Sequence, residues 1–455
     1  MADGVALADW HRIHVVGVGG AGMSALARLL TGRGHVVTGS DARTSTLLEA
    51  LSREGIETWA GHRTDRLEGV DLVVASSAVP PSDAEVADAR RRAIPVWNRP
   101  ELLAALTSEI PTVGATGTHG KTSTTAMLIV AAKAAGLDPS FVVGGEVRDL
   151  GTNAGSGDDD LLILEVDEAF GTFEHVRLES LVVTNVEADH LDHFGTLAEV
   201  EAAFERVVRA VSGEVFCCVD DAGSHRLGQR TGAIGYGTGA DAVWRAVDVD
   251  AGAEGSRFRL VSPLGAWDVV LPRPGIHMVR NAVGAIALVG SRGGDVEAAI
   301  GGLGSFQGVG RRWDVRGEVG GITVVDDYAH HPTEVSATLA AAFGSGRRVV
   351  AVFQPHLYSR TAEHAEDFGS ALARAAAVVV LDVYGAREEP MPGVDGTLVS
   401  DAARRAGAEM VVDAPERADA ARVVARILAP GDLVVCMGAG DIGDLADELL
   451  AELDA

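Results

Sequence analysis

Thr112-Val113-Gly114-Ala115-Thr116-Gly117-Thr118-His119-Gly120-Lys121-Thr122 is a short apolar strand running into a small, glycine-rich turn that ends in Gly-Lys-Thr. The alanine-rich stretch from about Ser123 to Ala135 predicts a helix directly after it. Strand, turn and helix in this order form a phosphate-binding loop. Backbone N–H groups of Gly117, Thr118, His119, Gly120, Lys121, Thr122 and Ser123 can wrap nucleotide phosphates, and the helix N-terminus adds partial positive charge. In such a loop Lys121 reaches the β- and γ-phosphates and the Thr122 hydroxyl sits on Mg²⁺. Lys121 and Lys133 are the only two lysines in a chain that otherwise uses arginine. A compact ammonium suits this turn where a planar guanidinium would not. Ala115 replaces the first glycine of the strict pattern, a change that a tight turn tolerates.

On either side the chain reads as alternating strands and helices. Strands are predicted at Arg12–Val18, Val36–Ser40 and Asp71–Ser76, with helices at 22–33 and Thr46–Glu54. Continuous apolar runs at Leu161–Val166 and Leu181–Asn185 fit the middle of a parallel sheet. Residues 243–271 alternate and predict a hairpin-rich insert, the Met278–Val289 helix follows, and the glycine-rich Gly301–Gly310 stretch reads as a hinge. Further strands are expected at Ile322–Asp326, Arg348–Phe353, Ala377–Asp382, Glu409–Val412 and Asp432–Met437. The expected fold is α/β, with three domains that each carry a mostly parallel, doubly wound sheet. Their expected spans are 1–108 (Rossmann-like), 109–311 (the phosphate-loop domain) and 312–455 (Rossmann-like).

Bulk properties narrow the partners. A chain of 455 residues is too long for one core. A net charge of −27 argues against a nucleic-acid surface, and no apolar run reaches transmembrane length. Cys217 and Cys218 are adjacent and Cys436 lies far away, so neither a disulfide framework nor a metal-type spacing is present. The N-terminus lacks a basic region and enters a strand at once, unlike a signal peptide. A cytoplasmic protein is expected, a monomer or homodimer, with no membrane or nucleic-acid partner.

Several other groups of residues sit at predicted strand ends, where open α/β sheets bind ligands. Gly17-Val18-Gly19-Gly20-Ala21-Gly22 fits G-x-G-x-x-G, with Asp41 at the end of the next strand. Alone, this pattern reads as a dinucleotide site, but a nucleotide-sugar diphosphate satisfies the same geometry. A second match, Gly438–Gly443, follows the last strand. Glu165, Asp167 and Glu168 leave a buried strand beside the phosphate loop, where a carboxylate is a natural Mg²⁺ ligand. Asn185–His193 brings two histidines and three acids to the next strand end. Arg311-Arg312 follow the hinge, and Asp326–Pro332 and Gln354–Thr361 leave third-domain strands.

Read together, the stretches GVGGAGMS at 17–24, GTHGKT at 117–122, 185–192, Arg311-Arg312, DDYAHHPTE at 326–334, FQPH-x-YSR at 354–360, DVYGAREEPMPG at 382–393 and GAGDI at 438–442 resemble the Mur ligases, in order along nearly the whole chain. The resemblance implies a UDP-sugar domain, a central ATPase and a C-terminal amino-acid domain. It implies ATP-dependent joining of L-alanine to the carboxylate of UDP-N-acetylmuramate through an acyl phosphate, in peptidoglycan precursor synthesis. By match, Lys121 and Thr122 hold the phosphates and one Mg²⁺, Glu165 ligates Mg²⁺, and His190 holds or orients a second metal. Mn²⁺ suits the same oxygen ligands. Asn281 contacts adenine, and Arg312 and Asp327 reach the nucleotide. Tyr328, His330, His356 and Arg360 form the alanine pocket, with Arg360 pairing the amino-acid carboxylate. Gly19, Ser40, Asp41, His62, Ser76 and Ser77 are candidates for the UDP-sugar.

The chain departs from the family pattern at Met278, where the family usually has Asn, at Ala169-Phe170 in place of Ser-Asp, and at Leu357, often Arg. Three alternatives stand beside the ligase reading. The related recycling ligase attaches a preformed peptide to the same UDP-sugar, and DEAFGTF at 167–173 drifts towards it. A nicotinamide-dependent sugar-nucleotide oxidoreductase rests on Gly17–Gly22 with Asp41. A catalytically silent nucleotide-binding relative rests on Met278 and Phe170.

Overall fold

A computed structural model of the chain describes residues 7–189, 191–252, 254–386 and 388–454. Among these residues the strands form three sheets, of five, ten and six strands. The first sheet runs in the spatial order Glu57–Ala60, Val36–Asp41, Arg12–Val16, Leu72–Ala75, Val96–Asn98, every neighbour parallel. Its central strands are buried on both faces apart from Arg12, which explains the unbroken apolar run of Leu72–Ala75 and the apolar one of Ile13–Val16 that only His14 interrupts. The first strand stops at Val16, two residues short of the sequence expectation, because Gly17 turns the chain at φ 80°. Glu57–Ala60 and Val96–Asn98 escaped the sequence reading, being only four and three residues long, too short for an apolar pattern to show.

At the middle of the second sheet, Leu162–Glu165, Thr112–Thr116, Ser180–Val183, Val215–Cys218 and Ile234–Gly237 lie side by side, all parallel. The alternating 243–271 stretch becomes three successive strands at one edge. Ser140–Val147 and an antiparallel partner, Thr152–Gly155, form the other edge. The third sheet is parallel apart from its edge strand Asp314–Val319, and its Val349–Phe353 strand is fully buried. The expected hinge is helical in its first part, since Val296–Leu303 forms a helix capped by Asp295.

By packing, the chain divides into two compact units. One comprises Met1–Val247, Arg259–Val269 and Arg280–Phe306, and the other Asp248–Phe258, Val270–Val279 and Gln307–Ala455. The first two sheets share a continuous apolar core, in which Leu26, Leu30 and Leu106 join Leu162, Leu181 and Phe204. Among the described residues no helix is long and apolar enough to cross a membrane.

Candidate active site

The phosphate loop forms as its sequence requires. Thr112–Thr116 is buried at every residue, and the helix Lys121–Ala134 starts from Gly120 at φ 80° with no side-chain cap. Gly117 has φ 132°, and a Cβ there would fall 2.1 Å from Thr184 Oγ1, so only glycine fits. The next strand end grips the loop. Asn185 O accepts from Thr118 N at 3.1 Å, Asn185 Oδ1 accepts from His119 N at 2.7 Å, and the Thr184 hydroxyl donates to His119 O at 2.6 Å.

Lys121 and Thr122 meet the acidic strand end predicted beside them. The Thr122 hydroxyl donates to Glu165 Oε1 at 2.8 Å. Lys121 Nζ lies 2.7 Å from Glu168 Oε2 and 3.7 Å from Asp167 Oδ1, and donates to Thr118 O at 3.2 Å. Burial alone would lower the lysine pKa, but the Glu168 and Asp167 carboxylates override it and hold the ammonium above its ordinary value. Lys121 is therefore charged at any working pH. Asn281 also comes to the loop, since a Cβ on Gly120 would stand 3.3 Å from its Oδ1. His190 lies outside the described residues.

These residues fit a magnesium nucleotide. Hydroxyl and carboxylate oxygens converge at Thr122 and Glu165, the hard donors Mg²⁺ takes. A charged lysine and an uncapped helix N-terminus flank them, as phosphate requires.

In the first domain, two of the UDP-sugar candidates, Ser40 and His62, meet at one residue that the sequence reading missed. Glu85 is fully buried and accepts from the Ser40 hydroxyl, from Arg63 N at 2.7 Å, and from Trp59 Nε1 and His62 Nδ1, each at 3.3 Å. His14 Nε2 stands 3.5 Å away. Burial pushes the Glu85 pKa up, but contacts with His14, Ser40 and the Arg63 amide outweigh it and bring it down to about 2. Asp41 Oδ2 accepts from Gly19 N at 2.9 Å, and a Cβ on Gly19 would lie 2.7 Å from that oxygen. Ser76 packs under the same turn, 2.9 Å from where a Gly17 Cβ would be, and Ser77 is exposed beside it.

A third cluster lies wholly in the second unit. Tyr328 and His330 rings meet edge-on at 5.1 Å, His330 and His356 at 5.8 Å, and the Arg312 guanidinium lies 4.8 Å over the Tyr328 ring. Arg360 is near enough for its charge to act on His330. Burial pushes the His330 pKa down to about 3, with Glu334 opposing and Arg360 and Arg312 adding to it, so the ring is neutral at pH 7. Its Nδ1 lies 2.9 Å from Tyr328 O, which can only accept, so Nδ1 carries the proton and Nε2 is left as a base. Asp327 Oδ2 accepts from Trp313 N at 2.8 Å and its Oδ1 from Ala329 N at 2.9 Å, fixing the turn that carries Tyr328.

The second glycine motif is no nucleotide site. Arg311 donates to the carbonyls of Gly438 and Gly440 at 2.8 and 3.2 Å, and Gln354 Oε1 accepts the helix amide Ile442 N at 3.2 Å.

In chain order, a phosphate-loop domain with acids against its loop follows one parallel-sheet domain and precedes another that carries a basic, histidine-rich cluster, as suits an ATP-dependent ligase. Residues 12–110 match the Mur ligase family catalytic domain, 115–289 the Mur ligase middle domain and 311–440 the Mur ligase glutamate ligase domain, so the chain belongs to the Mur ligase family. It is 44% identical to a UDP-N-acetylmuramate–L-alanine ligase of Mycolicibacterium vanbaalenii, with 98% of this chain and 97% of that one covered. The fold is similar to that of the UDP-N-acetylmuramate–alanine ligase of Thermotoga maritima, at TM-score 0.83 and 27% identity over 97% of this chain and 99% of that one. A murein peptide ligase of Psychrobacter arcticus shares the fold less closely, at TM-score 0.70 and 23% identity over 97% and 98%.

Proposed function

We infer that the chain is the UDP-N-acetylmuramate–L-alanine ligase of peptidoglycan precursor synthesis. The observation that carries this is the Thr122–Glu165 pair beside a charged Lys121, in a chain related over nearly its whole length to ligases of that name. A carboxylate is a poor acyl donor. Transfer of the γ-phosphoryl group of ATP to the muramate carboxylate gives an acyl phosphate. The alanine amine then attacks that carbonyl, and phosphate leaves. Two anions must meet in the first step, which is why cations are needed there.

The residue roles belong to the same proposal. Lys121 leaves Glu168 for the phosphates, and the amides of Gly117–Ser123 complete the cradle. Thr122 and Glu165 would hold Mg²⁺ (Mn²⁺ suits the same donors), with His190 on a second ion. Bound there, the metal neutralises phosphate charge. Asn281 would contact adenine, and Arg312 and Asp327 the nucleotide. Tyr328, His330, His356 and Arg360 take L-alanine, Arg360 on its carboxylate. The neutral His330 Nε2 is suited to hold the proton that the alanine ammonium must lose before attack. Gly19, Ser40, Asp41, His62, Ser76 and Ser77 take the UDP-sugar. We place the domain boundaries after residues 108 and 311, and the protein in the cytoplasm as a monomer or homodimer.

The nicotinamide reading falls with membership of the Mur ligase family, whose three domain models match the chain between residues 12 and 440. Phosphate release from ATP, Mg²⁺ and UDP-N-acetylmuramate tests the proposal, with L-alanine, glycine, L-serine or a tripeptide as acceptor. Release that needs both the UDP-sugar and L-alanine is expected. Release with the tripeptide alone would move the chain to the recycling ligases, and no release with any acceptor would make it a silent relative.

A further inference from the structure

The hairpin Ser140–Val147 and Thr152–Gly155 touches both proposed substrate sites of the first unit. Its pairing is irregular in one place. Val142 faces Ala154 and Val147 faces Thr152, so the four residues Val143–Glu146 bulge opposite the single residue Asn153. Bulges of this kind re-aim a strand beside a site. The bulge carries Gly144 to the metal carboxylate, where Gly144 N donates to Glu165 Oε2. A Cβ on Gly144 would lie 2.8 Å from that oxygen, so the approach needs glycine. The other oxygen of Glu165 is the one that accepts from Thr122.

On the opposite side, Asn153 grips the helix Ala21–Gly32, which starts from the Gly17–Gly22 turn. Its Nδ2 donates to Ala21 O at 3.1 Å, in the helix's first turn, where the Ser24 hydroxyl also donates at 2.9 Å. Its Oδ1 accepts from Arg28 Nη1 at 2.6 Å, about two turns further on, and Arg28 is itself held by Glu54 at 2.6 Å. Asn153 is 7% exposed, so both ends of its amide are satisfied by this one helix away from water. At the helix end, a Cβ on Gly32 would come within 2.6 Å of Ser156 Cβ, so helix and hairpin are in full contact.

We propose that Asn153 is a positioning residue that couples the UDP-sugar helix to the metal carboxylate Glu165. The proposal rests on the ligase reading above. Diphosphate binding at Gly17–Gly22 bears on the first turn of the helix. Asn153 passes any shift of that turn into the strand facing the Val143–Glu146 bulge, and Gly144 passes it to Glu165. Loading the UDP-sugar therefore tunes the affinity for magnesium nucleotide, and the reverse holds by linkage.

The test is the dissociation constant of Mg²⁺–ADP, measured by calorimetry on the full chain with and without saturating UDP-N-acetylmuramate. In the wild type the two values should differ roughly fivefold or more. In Asn153→Ala the ratio should fall to within about twofold of one, while Mg²⁺–ADP affinity without the sugar stays near wild type. A merely structural loss would lower the melting temperature and leave the ratio alone. Asn153→Asp replaces the donor to Ala21 O with a repelling carboxylate oxygen and keeps the acceptor for Arg28. It carries the same expectation and decides the matter if the alanine variant does not fold. A wild-type ratio of one, or a ratio preserved in folded Asn153 variants, overturns the proposal. A wild type that does not bind UDP-N-acetylmuramate at all overturns the ligase reading with it, and is told apart by that missing binding.

Discussion

Gly117–Thr122 and Gly438–Gly443 have the same local design and opposite contents. Each leaves the C-terminal end of a buried parallel strand and each opens a helix. At the first, the helix N-terminus has no side-chain cap and a charged lysine stands beside it. At the second, Gln354 caps the helix amide and the Arg311 guanidinium fills the turn, held by carbonyls. A Cβ on Gly443 would lie 2.8 Å from Arg311 Nε, so this glycine makes room for a side chain of the protein itself. A glycine-rich turn thus reports close approach, and the polarity it offers decides what approaches. N–H groups at a helix start call for an anion, whereas carbonyls call for a cation.

Lys121→Ala should break the first turn's function and leave the fold intact. We expect phosphate release to fall roughly 10³-fold, with the melting temperature within a few degrees of wild type. Stopped assays at saturating substrates would measure this, and retention of more than a tenth of the rate would remove Lys121 from the phosphates. Arg311→Ala should do the reverse. It strips the guanidinium from Gly438, Gly440 and the buried Asp326, whose Oδ2 lies 3.4 Å from Arg311 Nε. Because Arg311 is partly exposed, the loss should be about 3 kcal/mol, at the low end for a buried pair. Denaturant unfolding measures it, and an unchanged midpoint would mean that the second turn is no socket.

Asp326 sharpens the contrast further, because neither of its oxygens has a hydrogen-bond partner among the described residues. Burial raises its pKa from 3.8 to about 6, against the pull of Arg311. A raised carboxyl favours the folded state while protonated. That contribution is complete below pH 3.8 and is lost as pH rises to about 6. Asp326→Asn should therefore match wild type near pH 4 and exceed it by about 3 kcal/mol above pH 6. Unfolding curves at pH 4, 5, 6 and 8 would show this, and a gain that is constant with pH would contradict it.

The contrast also explains what could be read from the sequence. Lys121, Thr122 and Glu165 were legible because one turn and one strand end, each continuous in sequence, carry them. The three mostly parallel sheets were legible because many of their inner strands, such as Val349–Phe353 and Leu433–Met437, are short unbroken apolar runs. Glu85 was not, since its importance comes from Ser40, Trp59, His62 and Arg63 arriving from separate elements. Asn153 was hidden for the same reason, its partners Ala21 and Arg28 lying more than a hundred residues away. The hinge was half misread because glycine at 301 and 302 suggested a loop, whereas the Asp295 cap and packing extend a helix through both.

Glycine spacing misleads in the other direction as well. Leu357 leaves the strand that faces the Gly438 turn with φ 69° and ψ 134°, a conformation that disfavours any residue with a Cβ. It is fixed from both sides, its N–H donating to Tyr384 O at 3.0 Å and its carbonyl accepting from Thr361 N and from the Thr361 hydroxyl. Those bonds start the helix that carries Arg360, so the strain is maintained by a contact that the proposed alanine pocket needs. Leu357→Gly should release strain of about 1 kcal/mol and lose packing of similar size, since the side chain is only half buried. The net change in stability should therefore stay within about 1 kcal/mol, with the alanine KM moved less than threefold. A loss of several kcal/mol would show that the leucine side chain, rather than its backbone bonds, anchors this turn. The glycine-free turn would then be held, like the Arg311 socket, by what fills it.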